Sequence, residues 1–134
     1  MDSYNRRGHS KYSLKVHLIF VTKYRKKIFK SDKRANDMKQ FLHDISQTYD
    51  YEIIQMETDK DHIHILLSYH PNVSISNIVK QLKQYSTYQM WKYHEEYLSK
   101  QYWNHKLLWS DGYFACSIGQ VSQKVIENYI QNQG

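Results

Sequence analysis

The stretch Asp61-His62-Ile63-His64-Ile65-Leu66-Leu67 places a histidine at every second position, and this period of two constrains the chain more than any other segment. Successive side chains of an extended strand point to opposite faces. His62 and His64 therefore share one face, and Ile63, Ile65 and Leu67 share the other. Tyr51 to Thr58 reads as a preceding strand. A hairpin closed at Asp59-Lys60 sets Glu57 opposite His62, Met56 opposite Ile63, Gln55 opposite His64 and Ile54 opposite Ile65. The faces then sort into an apolar one (Ile54, Met56, Ile63, Ile65) and a polar one (Gln55, Glu57, His62, His64). Asp-Lys lacks the glycine of the tightest hairpin turns, but a loop longer by two residues keeps the same parity. An antiparallel sheet of this kind buries one face and leaves the other open.

The flanking segments supply the layer that covers the apolar face. Tyr12 to Val21 alternates, with Tyr12, Leu14, Val16, Leu18 and Phe20 on one side and Ser13, Lys15, His17 and Ile19 on the other. From Ser31, an N-cap candidate, Ala35, Met38, Phe41, Leu42 and Ile45 recur at helical spacing to about Tyr49. Ser74 to about Trp91 carries Ile75, Ile78, Val79 and Leu82, a second amphipathic helix. Lys92 to Ser110 mixes aromatic and charged residues and is ambiguous. Tyr113 to Ile118 reads as a short strand and Ser122 to Gln133 as a last helix, with Val121 placed to staple onto Ile126. No repeat or Gly/Ser linker interrupts the order, so residues 1–134 are expected to form one domain. Strand, helix, strand, strand, helix, strand, helix predicts an α+β fold, a ferredoxin-like or RRM-like antiparallel sheet with helices packed on one face and a further C-terminal helix.

Composition removes several kinds of chemistry. With Cys116 as the one cysteine, neither an intramolecular disulfide nor a cysteine zinc site can form. Glycines at 8, 112, 119 and 134 cannot write a phosphate-cradling loop, so no nucleotide cofactor is expected. No apolar run reaches the ~18 residues of a membrane span, and Met1 to Ser10 is polar, which predicts a soluble, cytoplasmic protein with no membrane partner. The net charge of +6 is uneven: residues 1–39 carry +9 and the rest −3. A polyanion partner fits that asymmetry, because phosphate contacts by Lys and Arg release counterions; a solvated basic loop fits it as well.

Two imidazoles on one sheet face can chelate a divalent cation and leave positions for oxygen ligands, or they can simply face solvent. The remaining histidines have no comparable spacing and read as surface or core residues, although His17 falls on the same open face. A metal beside a basic surface invites a nucleophile able to attack a phosphodiester, and a tyrosine, with its pKa near ~10, can do so with assistance. There are thirteen tyrosines. In the last helix Val125, Ile126 and Ile130 form an apolar stripe, Tyr129 lies at its edge, and Gln133 falls one turn further on the same side. Spacing alone also allows Tyr129 to be an ordinary core-edge tyrosine.

Four blocks carry a resemblance. Lys23-Tyr24-Arg25-Lys26-Lys27, Thr58-Asp59-Lys60-Asp61-His62-Ile63-His64-Ile65-Leu66, Leu108-Trp109-Ser110-Asp111-Gly112-Tyr113-Phe114 and Ile126-Glu127-Asn128-Tyr129-Ile130-Gln131-Asn132-Gln133 are similar, in order over about residues 11–133, to those of the single-tyrosine HUH transposases of the insertion-sequence 200/605 group. His-hydrophobe-His alone is weak; together with the tyrosine helix and the Lys-Tyr-Arg block it is specific. The resemblance implies that His62, His64 and Gln133 hold Mg²⁺ or Mn²⁺ and that Tyr129 is the nucleophile. It implies a 5′-phosphotyrosine intermediate, excision of the element as a single-stranded circle and reinsertion, recognition of imperfect single-stranded DNA hairpins near the element ends, and a homodimer. In that family the tyrosine helix can serve the partner's histidines, with Gly119 a plausible hinge here. Lys23, Tyr24, Arg25, Lys26 and Lys27 become the expected DNA surface, and Tyr24, Trp91 or Trp103 the residues to stack on unpaired bases or to pack in the core. A related HUH nuclease, such as a REP-associated tyrosine transposase or a replication initiator, shares these features. A non-catalytic ferredoxin-like nucleic-acid binding module is the reading from another class.

Overall fold

The computed structural model describes residues 14–117 and 123–133. Four strands, β1 (Leu14–Val21), β2 (Tyr51–Asp59), β3 (His62–Tyr69) and β4 (Phe114–Cys116), form one antiparallel sheet in the order β2-β3-β1-β4. Helices α1 (Asp32–Thr48) and α2 (Ile75–Tyr93) start where their serines cap them: Ser31 Oγ accepts the Arg34 N–H at 3.2 Å and Ser74 Oγ the Asn77 N–H at 3.1 Å. The ambiguous stretch resolves into a short helix, α3 (Glu95–Gln101), followed by an irregular segment in which Trp103 and Asn104 take positive φ of 54° and 65°. Among the described residues no helix is long and apolar enough to cross a membrane.

One sheet face carries the main core. Val16, Leu18 and Phe20 from β1 meet Ile63, Ile65 and Leu67 from β3 beneath Met38 and Leu42 of α1 and Ile78 and Leu82 of α2. Each fully buried aliphatic side chain there is worth roughly 1.5–3 kcal/mol relative to exposure. The α+β, helix-on-one-face architecture is thus the one predicted for these segments.

Three details of the sheet differ from the sequence reading. Asp59 pairs with His62 and Glu57 with His64, so the register is shifted by two residues and the loop is Lys60-Asp61. Parity survives such a shift, and both histidines stay on the polar face. The pairing slips between Ile53 and Gln55, which leaves Ile54 as the extra residue of a bulge. Ile54 is therefore 47% exposed rather than part of the apolar face, and Ile53 packs against the core in its place.

The histidine face is also not open throughout. Ile19 and Val21, which alternate with the core residues of β1, are buried under Ile130 of a fourth helix, α4 (Gln123–Gln131). This helix ends two residues before Gln133, which falls in the following turn with its N–H donating to the Ile130 carbonyl at 3.0 Å. Val125, expected in the apolar stripe, is 44% exposed. Gly119 and Val121, and with Val121 the staple to Ile126, lie outside the described residues.

Candidate functional site

The strand register brings the first three groups together. Ile19 of β1 lies opposite His64 and Val21 opposite His62. Residues directly opposite in an antiparallel pair present their side chains to the same face, with Cβ atoms ~5 Å apart. His62, His64, Ile19 and Val21 are therefore contiguous. His17, two residues before Ile19, joins them: its Nδ1 lies 3.0 Å from His64 Nε2, with the rings tilted at a centroid distance of 5.1 Å. Sequence spacing could not pair these two residues, since 47 positions separate them; the signal was their common parity on adjacent strands. Burial, then the neighbouring His17, pushes the His64 pKa below its ordinary value, so His64 presents a neutral imidazole near neutral pH. Beside it a cavity of ≈ 50 Å³ is lined by His17, Gln55, Glu57, His64 and Leu66.

His62 is held differently. Its Nδ1 lies 3.0 Å from Asp61 Oδ1. An ionised carboxylate can only accept, which assigns the proton to Nδ1 and leaves Nε2 as the nitrogen with a lone pair. Arg25 Nε donates to the other carboxylate oxygen at 3.1 Å. Burial by itself would raise the Asp61 carboxyl pKa, but the bonds from His62 and Arg25 outweigh it and hold the group below the usual carboxylate range.

Helix α4 lays Tyr129 on this same face. Ile130 is 7% exposed and packs on Ile19 and Val21, the cross-strand neighbours of the two histidines. Tyr129 and Phe114 of β4 pack around that patch with ring centroids 5.7 Å apart. Burial raises the Tyr129 phenol pKa, so it is protonated at neutral pH. Gln133 is half-buried in the turn after α4. Among the described residues no group of three or more His, Cys, Asp or Glu side chains is arranged to hold a metal ion. A site built on His62 and His64 thus needs ligands of another kind, such as a carboxamide, water or phosphate oxygen.

The basic block is an ordered corner. Residues Lys23–Arg25 and Ile28–Lys30 form two tight turns. Tyr24 is 50% and Trp103 64% exposed; their rings meet edge to face at 6.0 Å, with Lys23 Nζ 5.5 Å from the Tyr24 ring and Lys26 Nζ 5.2 Å from that of Trp103. Trp91 is buried and donates its Nε1–H to the Leu107 carbonyl, which removes it from the stacking residues. On the helical side of the sheet, opposite the histidines, a cleft of ≈ 890 Å³ is lined by Lys83, Tyr88, Trp91, Lys106, Trp109 and Asp111 among others, and the sequence reading missed it. Lys83 is not available there as a ligand group: its ammonium donates to the Ser110 and Gly112 carbonyls at 3.0 and 2.6 Å.

The family described as "Transposase IS200 like" matches residues 10–133, a span that includes every residue singled out above. The chain belongs to the IS200-like transposases. It is 33% identical over 122 residues to the ISDra2 transposase TnpA of Deinococcus radiodurans, covering 91% of this chain and 85% of that protein. It is 30% identical over 126 residues to the transposase for insertion sequence element IS200 of Salmonella typhimurium, covering 94% and 80%. A crystal structure of a Deinococcus radiodurans R1 protein described as a transposase superposes with a TM-score of 0.81 at 32% identity, covering 90% of each chain. An IS200-like transposase is a DNA-processing enzyme, and the four-stranded sheet with its helices is the architecture of that structure. A REP-associated tyrosine transposase bound to a REP hairpin aligns with a TM-score of 0.58 at 10% identity, over 91% of this chain and 65% of that one, a likeness of fold alone.

Proposed function

We propose that this IS200-like transposase is a metal-dependent HUH enzyme that cleaves and rejoins single-stranded DNA at insertion-sequence ends through a 5′-phosphotyrosine, recognises subterminal hairpins, and works as a homodimer. The observation that carries the reading is the seating of the Tyr129 helix on Ile19 and Val21, directly beside His64 and His62.

His62 through Nε2, His64, and Gln133 through its carboxamide would hold Mg²⁺ or Mn²⁺. The donor set fits: two imidazoles, one fixed in its tautomer by Asp61 and one kept neutral by burial, leave the other positions to the oxygen donors that hard cations take. Bound there, the cation supplies positive charge that polarises the scissile phosphate and stabilises the charge developing on it. The chain's own part is the nucleophile. The Tyr129 oxygen forms a bond to phosphorus as its proton departs, the bond from phosphorus to the 3′-oxygen breaks, and that oxygen leaves protonated as a 3′-OH. Attack by a different 3′-OH reverses the step and returns the proton to Tyr129. A phosphotyrosine conserves the phosphodiester, so rejoining needs no nucleotide.

The DNA surface we assign to Lys23, Lys26 and Lys27 for phosphate contacts, and to the exposed Tyr24 and Trp103 rings for stacking on unpaired bases. The REP-associated structure, described with a hairpin bound, supports a hairpin as the partner. Incubation with single-stranded element-end DNA and Mg²⁺ tests the reading. A covalent protein-DNA adduct is expected, and Tyr129→Phe should abolish it. An undiminished adduct in that variant refutes the assignment.

A further inference from the structure

The corner formed by residues 22–29 wraps the β2-β3 turn at several points. The Thr22 N–H donates to the Asp61 carbonyl at 3.0 Å and the Phe29 N–H to the Lys60 carbonyl at 2.9 Å, while the Thr22 hydroxyl closes the corner on itself by donating to the Lys26 carbonyl at 2.7 Å. Within it Tyr24 and Arg25 take positive φ of 58° and 52°. Non-glycine residues pay roughly 1–2 kcal/mol for this conformation, so two in succession persist only where their surroundings hold them. Tyr24 faces outward, while Arg25, its side chain 38% exposed, brings its Nε to 3.1 Å from Asp61 Oδ2. Asp61, with its side chain 10% exposed, spans Arg25 on one oxygen and His62 Nδ1 on the other at 3.0 Å.

We infer that Arg25 and Asp61 are positioning residues for the site: Arg25 locks the Asp61 carboxylate, which fixes the tautomer and ring orientation of His62 so that Nε2 is the nitrogen offered to the cation. The sequence reading placed Arg25 among the phosphate contacts, and the geometry gives it this second task. A partner on the outer nitrogen of a ligating histidine typically sets ligand orientation and basicity, and its loss costs roughly 10–100-fold in metal affinity. Arg25 acts one bond further out, so its removal should cost less, on the order of 3–10-fold. The coupling also means that the basic loop and the histidine face form one unit.

The inference rests on His62 holding the metal, and the experiment separates the two. Titrate Mn²⁺ alone, by calorimetry and without DNA, into wild type, Arg25→Gln, Asp61→Ala, the double variant and His64→Ala. Asp61→Ala should weaken binding roughly 10–100-fold, Arg25→Gln less, and the double variant no more than Asp61→Ala, because Arg25 acts through Asp61. Arg25→Gln with wild-type Mn²⁺ affinity overturns the inference. So does a chelator-treated Arg25→Gln protein whose only defect is a hairpin-binding salt slope reduced by about one, the signature of a lost phosphate contact. The tautomer of His62, read by ¹⁵N NMR in metal-free wild type, needs no variant to fold: an Nδ1–H form is expected, and an Nε2–H form overturns the inference. Mn²⁺ binding that His64→Ala leaves unchanged refutes the metal reading instead, while the tautomer still decides whether Asp61 orients His62.

Discussion

The attachment of the tyrosine helix is the most exposed link between fold and chemistry, and Ile130→Ala tests it. Ile130 is 7% exposed, and its partners Ile19 and Val21 are 0% and 1%. The substitution removes three side-chain carbons from this patch, and at about 0.8 kcal/mol per buried methylene-sized group the loss is about 2.4 kcal/mol. The cavity contribution should be small, since a short helix held on the sheet by one small apolar patch can settle into the space. At 1.4 kcal/mol per factor of ten, the docked-to-undocked ratio of α4 falls about 50-fold. Native-state hydrogen exchange reads this directly: α4 amides should exchange tens of times faster, while those of β1 and β3 on the core face change far less. Val125→Ala, at a site 44% exposed, should stay within about 0.5 kcal/mol. Exchange in α4 that rises less than about threefold, or a rise shared equally by the whole sheet, would refute local docking through Ile130 as what holds Tyr129 beside the histidines.

Two further outcomes follow from particular contacts. Trp103→Ala should weaken binding of a single-stranded oligonucleotide by about 1–3 kcal/mol in fluorescence anisotropy at fixed salt, with Trp103→Phe retaining most of it; equal affinity of all three proteins would remove the stacking role. Asp37 accepts from His94 Nε2 at 2.7 Å and Lys33 Nζ at 3.1 Å; burial acts to raise its pKa, but these partners outweigh it and the net shift is downward. A carboxyl lowered on folding stabilises above its unfolded value of about 3.9 and loses that contribution as pH falls through the folded value. The Tm gap between wild type and Asp37→Asn should therefore close as pH falls below about pH 4; a gap that persists at low pH contradicts this origin.

Much of the fold was legible because its rules are local. Ser31 and Ser74 mark helix starts through a bond to an N–H three residues on, and the alternation at His62 to Leu67 states its own faces. The two-residue register error was harmless for the same reason, since parity alone assigns a face. Ile54 was misplaced because a bulge depends on how two strands settle against a core, which no window of one strand reveals. Trp91 and Trp103 show the limit more sharply. Both are tryptophans near the end of the helical segments, yet one is 4% and the other 64% exposed: Trp91 lies within α2, whereas Trp103 lies beyond α3.

By itself the sequence determined that two histidines share a strand face, that a basic segment precedes them, and that a tyrosine stands four residues before a glutamine near the C-terminal end. Each follows from chain periodicity and charge, which act over a few residues. Tertiary structure alone decided that His17 lies 3.0 Å from His64, that Arg25 reaches Asp61, and that Ile130 seats Tyr129 on Ile19 and Val21. These are contacts between segments 36 to more than 100 positions apart. They exist because strand pairing and apolar burial bring distant segments into register, and that pairing gives the strand histidines their neighbours.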